Sequence, residues 1–112
     1  MSQSQSKTLS IDVGGSGIKG MVLGADGQPL NERIREETPR PALPEAILAT
    51  VVEVASQQPK YDRISIGFPG VVELGVVRTA PNLDGDWNGV PLADEIARRA
   101  GAPCRAANDA DV

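Results

Sequence analysis

Apolar and polar positions along this chain alternate in short runs before they settle into helical spacing. Thr8 to Val13 is rich in apolar and β-branched residues and reads as a first strand. Ile18 to Leu23 reads as a second, and Pro29 to Glu37 as a third, reached through the turn Gly24-Ala-Asp-Gly27. Thr38-Pro-Arg-Pro41 suits neither a strand nor a helix. Beyond it Leu43, Ile47, Val51 and Val54 or Ala55 recur at helical spacing, which predicts a helix over Leu43 to Gln57, ended by Pro59. Arg63 to Phe68 reads as a strand running into the turn signal Pro69-Gly70, and Val71 to Val77 as a hairpin broken by Gly75. Thr79 to Gly89 reads as a loop, Pro91 to Ala100 as a second helix stopped by Gly101, and Pro103 to Ala107 as a last strand. A sheet that opens antiparallel and turns parallel through helical crossovers follows from this order, which makes the chain α/β.

Composition narrows the function. At 112 residues the chain is one domain's worth, small for an enzyme that must enclose both a donor and an acceptor. Aromatic residues are few (Tyr61, Phe68, Trp87), so the core must come from Val, Ile, Leu and Ala. A net charge of −4 with no basic run argues against nucleic acid, and any phosphate site must be local. The single cysteine, Cys104, cannot form an intramolecular disulfide; with no histidine the common zinc spacings are excluded, and Cys104 reads as a buried small residue. No stretch has the length to cross a bilayer, and Met1 to Lys7 is polar and reads as a frayed tail. A soluble protein of the reducing cytoplasm is expected, with no membrane partner.

Candidate chemistry concentrates at two places. Asp12-Val-Gly-Gly-Ser-Gly-Ile-Lys-Gly20 sets a carboxylate at the end of an apolar strand, directly before a glycine-rich turn. Glycines that take positive φ let several N–H groups converge on an anion, Ser16 and Lys19 add a hydroxyl and a positive charge, and Asp12 offers a hard oxygen to magnesium, directly or through its water shell. Gly15-Ser-Gly17-Ile-Lys-Gly20 also satisfies the dinucleotide pattern, but the segment after it is too short and β-branched for the helix that pattern needs. The Walker A pattern fails for want of a Gly-Lys-Ser or Gly-Lys-Thr ending. A ligand-free hairpin is the plain alternative. Asn108-Asp109-Ala110-Asp111 forms a second, acceptor-rich cluster, which taken alone could be a turn or a helix cap. The two together point to phosphoryl transfer to a hydroxyl.

The order of elements and these motifs resemble the ROK family of sugar kinases and related repressors, within the actin, Hsp70 and sugar-kinase superfamily. Ile11 to Gly20 is similar to that family's first phosphate motif. Gly67-Phe-Pro-Gly-Val-Val72, Thr79-Ala-Pro-Asn-Leu83, Trp87 and Val90-Pro-Leu92 fall in the family's order, and the pairing with Asn108 to Asp111 is similar to the polyphosphate glucokinase branch. The resemblance covers nearly the whole chain. It implies a ribonuclease H-like actin/sugar-kinase N-terminal domain over residues 8–112, a mixed five-stranded sheet with flanking helices, belonging to a two-domain sugar kinase.

By that resemblance Asp109 is the catalytic base toward the 6-hydroxyl of glucose or a related hexose. Gly70, Asn82, Asn108 and Asp109 lie on the sugar side, and Asp12, Gly14, Gly15, Ser16, Gly17 and Lys19 on the side of the phosphate donor, ATP or polyphosphate with Mg2+ held at Asp12. Asp111 stands where many relatives have Asn. The family's later motifs, including a Glu-x-Gly-His segment and a cysteine and histidine zinc site, have no counterpart before Val112. The expectation is half of a clamp, poorly active alone, with an open face that invites self-association. A sugar-sensing regulator would carry a helix-turn-helix ahead of Thr8, where only the tail stands. A non-catalytic binding or assembly module is the remaining alternative. Trp87 reads as a packing anchor, Asp84, Asp86 and Asp94 as solvated acids, and Glu32 to Glu37 as a solvated strand end.

Overall fold

The computed structural model describes residues 6–111. Its elements are β1 (Thr8–Val13), β2 (Gly17–Leu23), β3 (Ile34–Glu37), α1 (Pro44–Ser56), β4 (Arg63–Phe68), β5 (Val71–Glu73), β6 (Val76–Thr79), α2 (Leu92–Ala100), β7 (Cys104–Asn108) and a 3-10 turn over Asp109–Asp111. Five strands form one sheet in the order β3-β2-β1-β4-β7, while β5 and β6 form a separate ribbon. β1 pairs antiparallel with β2, and β2 with β3; β4 runs parallel to both β1 and β7. The mixed five-stranded sheet is thus as expected, with α1 and α2 carrying the two parallel crossovers.

Strand alternation decides which face is covered. Leu9, Ile11 and Val13 of β1 and Ile64, Ile66 and Phe68 of β4 are buried against Ile47, Val51 and Val54 of α1 and Leu92 and Ile96 of α2, one continuous core. Gly20 shares this face: an added Cβ would stand 2.8 Å from Val54 Cγ1, so the missing side chain lets α1 sit close on β2. Ser10 and Asp12 face the other way, where no helix among the described residues covers the sheet. Arg99 at the end of α2 donates to both carboxylate oxygens of Glu45 at the start of α1, at 2.9 and 2.8 Å, and so pins the two helices together.

Several boundaries differ from the sequence expectation by a residue or more, three of them instructive. β3 begins only at Ile34, because Asn31 replaces a backbone partner: its Oδ1 accepts from the Val22 N–H at 2.9 Å, and backbone pairing with β2 before Ile34 is limited to the isolated bridge between Leu23 and Pro29. The first helix begins at Pro44, with Leu43 extended ahead of it. The last strand runs on to Asn108, which brings the acceptor-rich cluster to the strand end itself. Residues 1–5 of the expected tail lie outside the described residues; Lys7 donates its N–H to Asp62 Oδ2 at 2.8 Å. None of the described helices is long and apolar enough to cross a membrane.

Candidate active site

Parallel pairing puts the C-terminal ends of β1, β4 and β7 on one edge of the sheet. Asp12 is in register with Gly67, Gly67 with Ala107, and Phe68 with Asn108. Asp12 and Ala107 are therefore two strand spacings apart, about 10 Å. The turns after these strands, Gly14 to Ser16, Pro69-Gly70 and Asn108 to Asp111, open on the same edge, the usual place for a ligand in α/β sheets. No helix springs from Gly20; that residue lies inside β2.

The glycine turn is closed by the Gly14 N–H donating to the Gly17 carbonyl at 2.9 Å. Gly14 and Gly17 serve space rather than conformation, contrary to expectation. The positive-φ glycines are Gly27, Gly75, Gly85, Gly89 and Gly101, none of them in this turn. A Cβ on Gly14 would stand 2.9 Å from the Gly17 carbonyl oxygen, and one on Gly17 would stand 2.5 Å from Arg35 Nε. Ser16 is exposed at the tip.

Asp12 and Lys19 are register partners across β1 and β2 and share the uncovered face. Together with Ser10, Met21 and Arg33 they line a hollow of about 160 Å³. Lys19 and Arg33 in that hollow, and Arg35 and Arg40 bonded to the turn, make a basic rim on a chain whose net charge is −4. A larger hollow, about 570 Å³, surrounds Arg63, Ser65 and Arg105 nearer the other end of the sheet and contains none of the candidate site residues.

At the end of β7 Asn108 is a brace. Its Nδ2 donates to the Gly70 carbonyl at 2.7 Å, and its Oδ1 accepts from the Ala110 N–H at 2.9 Å, fixing the 3-10 turn that presents Asp109. Asp109 is exposed, with no side-chain partner among the described residues. Gly70 is buried because the end of β6 crosses it so closely that a Cβ would collide with the Thr79 carbonyl. Asn82 is exposed in the loop after β6, and no hydrogen bond ties its side chain to the turns on the sheet edge. Asp12, the glycine turn, Gly70, Asn108 and Asp109 are thus brought together on one edge; among the described residues no side-chain hydrogen bond joins Asn82 to them.

Residues read as bystanders behave as such. Trp87 is 3 % exposed, packs on Phe68 with ring centroids 5.1 Å apart, and donates its Nε1–H to the Asp84 carbonyl at 2.9 Å. Cys104 is half-buried rather than fully buried as its type suggests, and burial, with the Asp94 carboxylate behind it, pushes its thiol up to about 12, away from the thiolate form. Asp86 accepts from the Asn88 N–H at 3.1 Å, a local turn, whereas Asp84 is more than the solvated acid expected: it accepts from the distant Ala42 N–H at 2.7 Å and ties its loop to the segment before α1. No cluster of potential metal ligands occurs among the described residues. Sequence reasoning missed Arg35, Thr38 and Arg40, whose side chains all bond to carbonyls of the glycine turn. Only their closeness to the end of the third strand could have pointed to them.

Comparison with known proteins identifies the family and the fold. The ROK family model matches residues 8–112. The chain is 44% identical over 105 residues to the polyphosphate glucokinase of Mycobacterium tuberculosis, an alignment covering 92% of this chain and 40% of that protein. Among solved structures, the inorganic polyphosphate/ATP-glucomannokinase of Arthrobacter sp. strain KM superposes with a TM-score of 0.86 at 35% identity, covering 95% of this chain and 45% of that one. The ROK family glucokinase of Streptomyces griseus, solved with glucose and AMPPNP, gives a TM-score of 0.78 at 32% identity, covering 93% and 33%. The chain spans about two fifths of the length of the curated polyphosphate glucokinase it matches, 40%. The sheet and its helices are the actin/Hsp70-like fold of the sugar kinases, and the chain belongs to the ROK family.

Proposed function

We propose that this chain is the N-terminal half of a glucokinase-type sugar kinase that moves a phosphoryl group from polyphosphate or ATP to the 6-hydroxyl of glucose. The observation that carries the reading is the register of Asp12, Gly67 and Ala107 across three neighbouring parallel strands, which opens the glycine turn and the Asp109 turn on one edge. The 44% identity to a polyphosphate glucokinase supports the choice of reaction.

In this reading the Asp109 carboxylate accepts the proton of the sugar hydroxyl as its oxygen attacks the terminal phosphorus. Asn108 and Gly70 shape the sugar side, joined by Asn82 from the exposed loop after β6. A carboxylate in reach suffices as base, since the hydroxyl proton leaves late and most of the catalysis is positioning. Exposure of Asp109 at the strand end suits a group that must meet a substrate. Gly14 to Gly17 and Lys19 receive the donor phosphates. Asp12 suits magnesium as a hard oxygen donor on the uncovered face, and as a lone carboxylate it would share the ion with water and donor phosphate, where the ion would offset phosphate charge.

The test is to supply glucose with magnesium and either donor, measure sugar phosphate, and repeat with Asp109→Asn. Loss of a general base lowers the rate about 100-fold or more, while the exposed position leaves folding intact. Turnover unchanged by Asp109→Asn would remove Asp109 as base.

A further inference from the structure

Three consecutive carbonyls of the glycine turn are held from one side. Thr38 Oγ1 donates to the Gly14 carbonyl at 2.6 Å, Arg40 Nη2 to that of Gly15 at 3.1 Å, and Arg35 Nη2 to that of Ser16 at 2.8 Å. The Thr38 N–H also reaches the Ser16 carbonyl, at 3.4 Å. All the donors belong to β3 or the segment just after it. Gly17 makes this reachable, since the Arg35 guanidinium lies where a Cβ would be.

A trans peptide points its N–H opposite to its C=O. Fixing the Gly14 and Gly15 carbonyls toward β3 therefore turns the N–H groups of Gly15 and Ser16 away from it. Neither N–H has a hydrogen-bond acceptor among the described residues. Gly15 adds a second sign: its φ is not positive and an added Cβ would meet nothing within 4 Å, so nothing inside the chain requires a glycine there.

We infer that Thr38, with Arg35 and Arg40, is a positioning residue that presets the Gly15 and Ser16 N–H groups as paired donors to an anionic phosphate. The inference rests on the proposed reading of this turn as the donor site. Thr38 is 4 % exposed, so its hydroxyl is committed to the Gly14 carbonyl and acts through the turn.

The experiment follows the backbone amides of the isotopically labelled full chain during titration with magnesium and inorganic tripolyphosphate. In the wild type the Gly15 and Ser16 amides shift to saturation. Thr38→Val, which keeps shape and charge, weakens the affinity about fivefold, as expected for the loss of one ordering hydrogen bond, and moves those amides before any ligand is added; Thr38→Ser restores both. Arg40 is exposed and Arg40→Ala folds even if Thr38→Val does not. It weakens binding by a factor that persists in 0.5 M salt, where a distant charge effect is largely screened, to about a 4 Å Debye length. Wild-type shifts at the turn with Thr38→Val or Arg40→Ala binding equally well would overturn the positioning role and leave the donor site standing. No wild-type shift at Gly15 and Ser16 would overturn the donor site and the inference with it.

Discussion

Asn108 holds Gly70: its side-chain amide donates to the Gly70 carbonyl at 2.7 Å and ties the end of β7 to the turn after β4. The same side chain accepts from Ala110, so one residue sets both the turn that carries Asp109 and the backbone beside it. Gly70 can lie there only because it lacks a side chain under Thr79.

Gly70→Ala should therefore destabilise the chain by about 2 kcal/mol or more, since backbone must move to admit the methyl group. Asn108→Ala removes a part-buried bond and should cost about 1 kcal/mol. Urea melts of both variants check the order. Gly70→Ala melting like the wild type would contradict the close crossing.

Much of the architecture was legible because alternation and helical spacing coincide with burial. Leu9, Ile11 and Val13, and likewise Ile47, Val51 and Val54, are both the periodic residues and the buried ones. The third strand starts later than its pattern predicts because Asn31 uses a side chain where a strand would use a backbone group, which no propensity reveals. Asp12, the glycine turn and Asp109 could be named from residue type, yet their shared edge depends on parallel register between segments nearly the whole chain apart. Arg35, Thr38 and Arg40 escaped notice because they act through backbone carbonyls, and that role leaves no motif.

Leu74 offers a stabilising substitution. It is fully exposed at φ 51° and precedes Gly75 at φ 80°, two left-handed residues in the tight turn between β5 and β6. Asparagine tolerates that region far better than leucine. Leu74→Asn should stabilise by about 0.5–1 kcal/mol, seen as a higher midpoint in thermal melts. A lower midpoint would show that Leu74 is needed for packing.

The helix pin should respond to acid. The hydrogen bonds from Arg99 hold the Glu45 carboxyl below its ordinary value of 4.5. A carboxylate with a lowered folded value stabilises above its unfolded value and loses that contribution as the pH falls through the folded one. Wild type should therefore exceed Glu45→Gln in stability at neutral pH, with the gap closing only below pH 4.5. Denaturant melts across that range check it, and a gap independent of pH would remove the ion pair as its cause.

Whether sugar and donor meet at the strand ends is settled most directly by titrating the labelled chain with glucose and, separately, with magnesium tripolyphosphate. Glucose should move the amides of Gly70 and Asn108 to Ala110, and tripolyphosphate those of Gly14 to Gly17, so that both sets map to the edge where β1, β4 and β7 end. Shifts confined to the hollow around Arg63 and Arg105, or two ligands mapping to opposite ends of the sheet, would contradict the shared site.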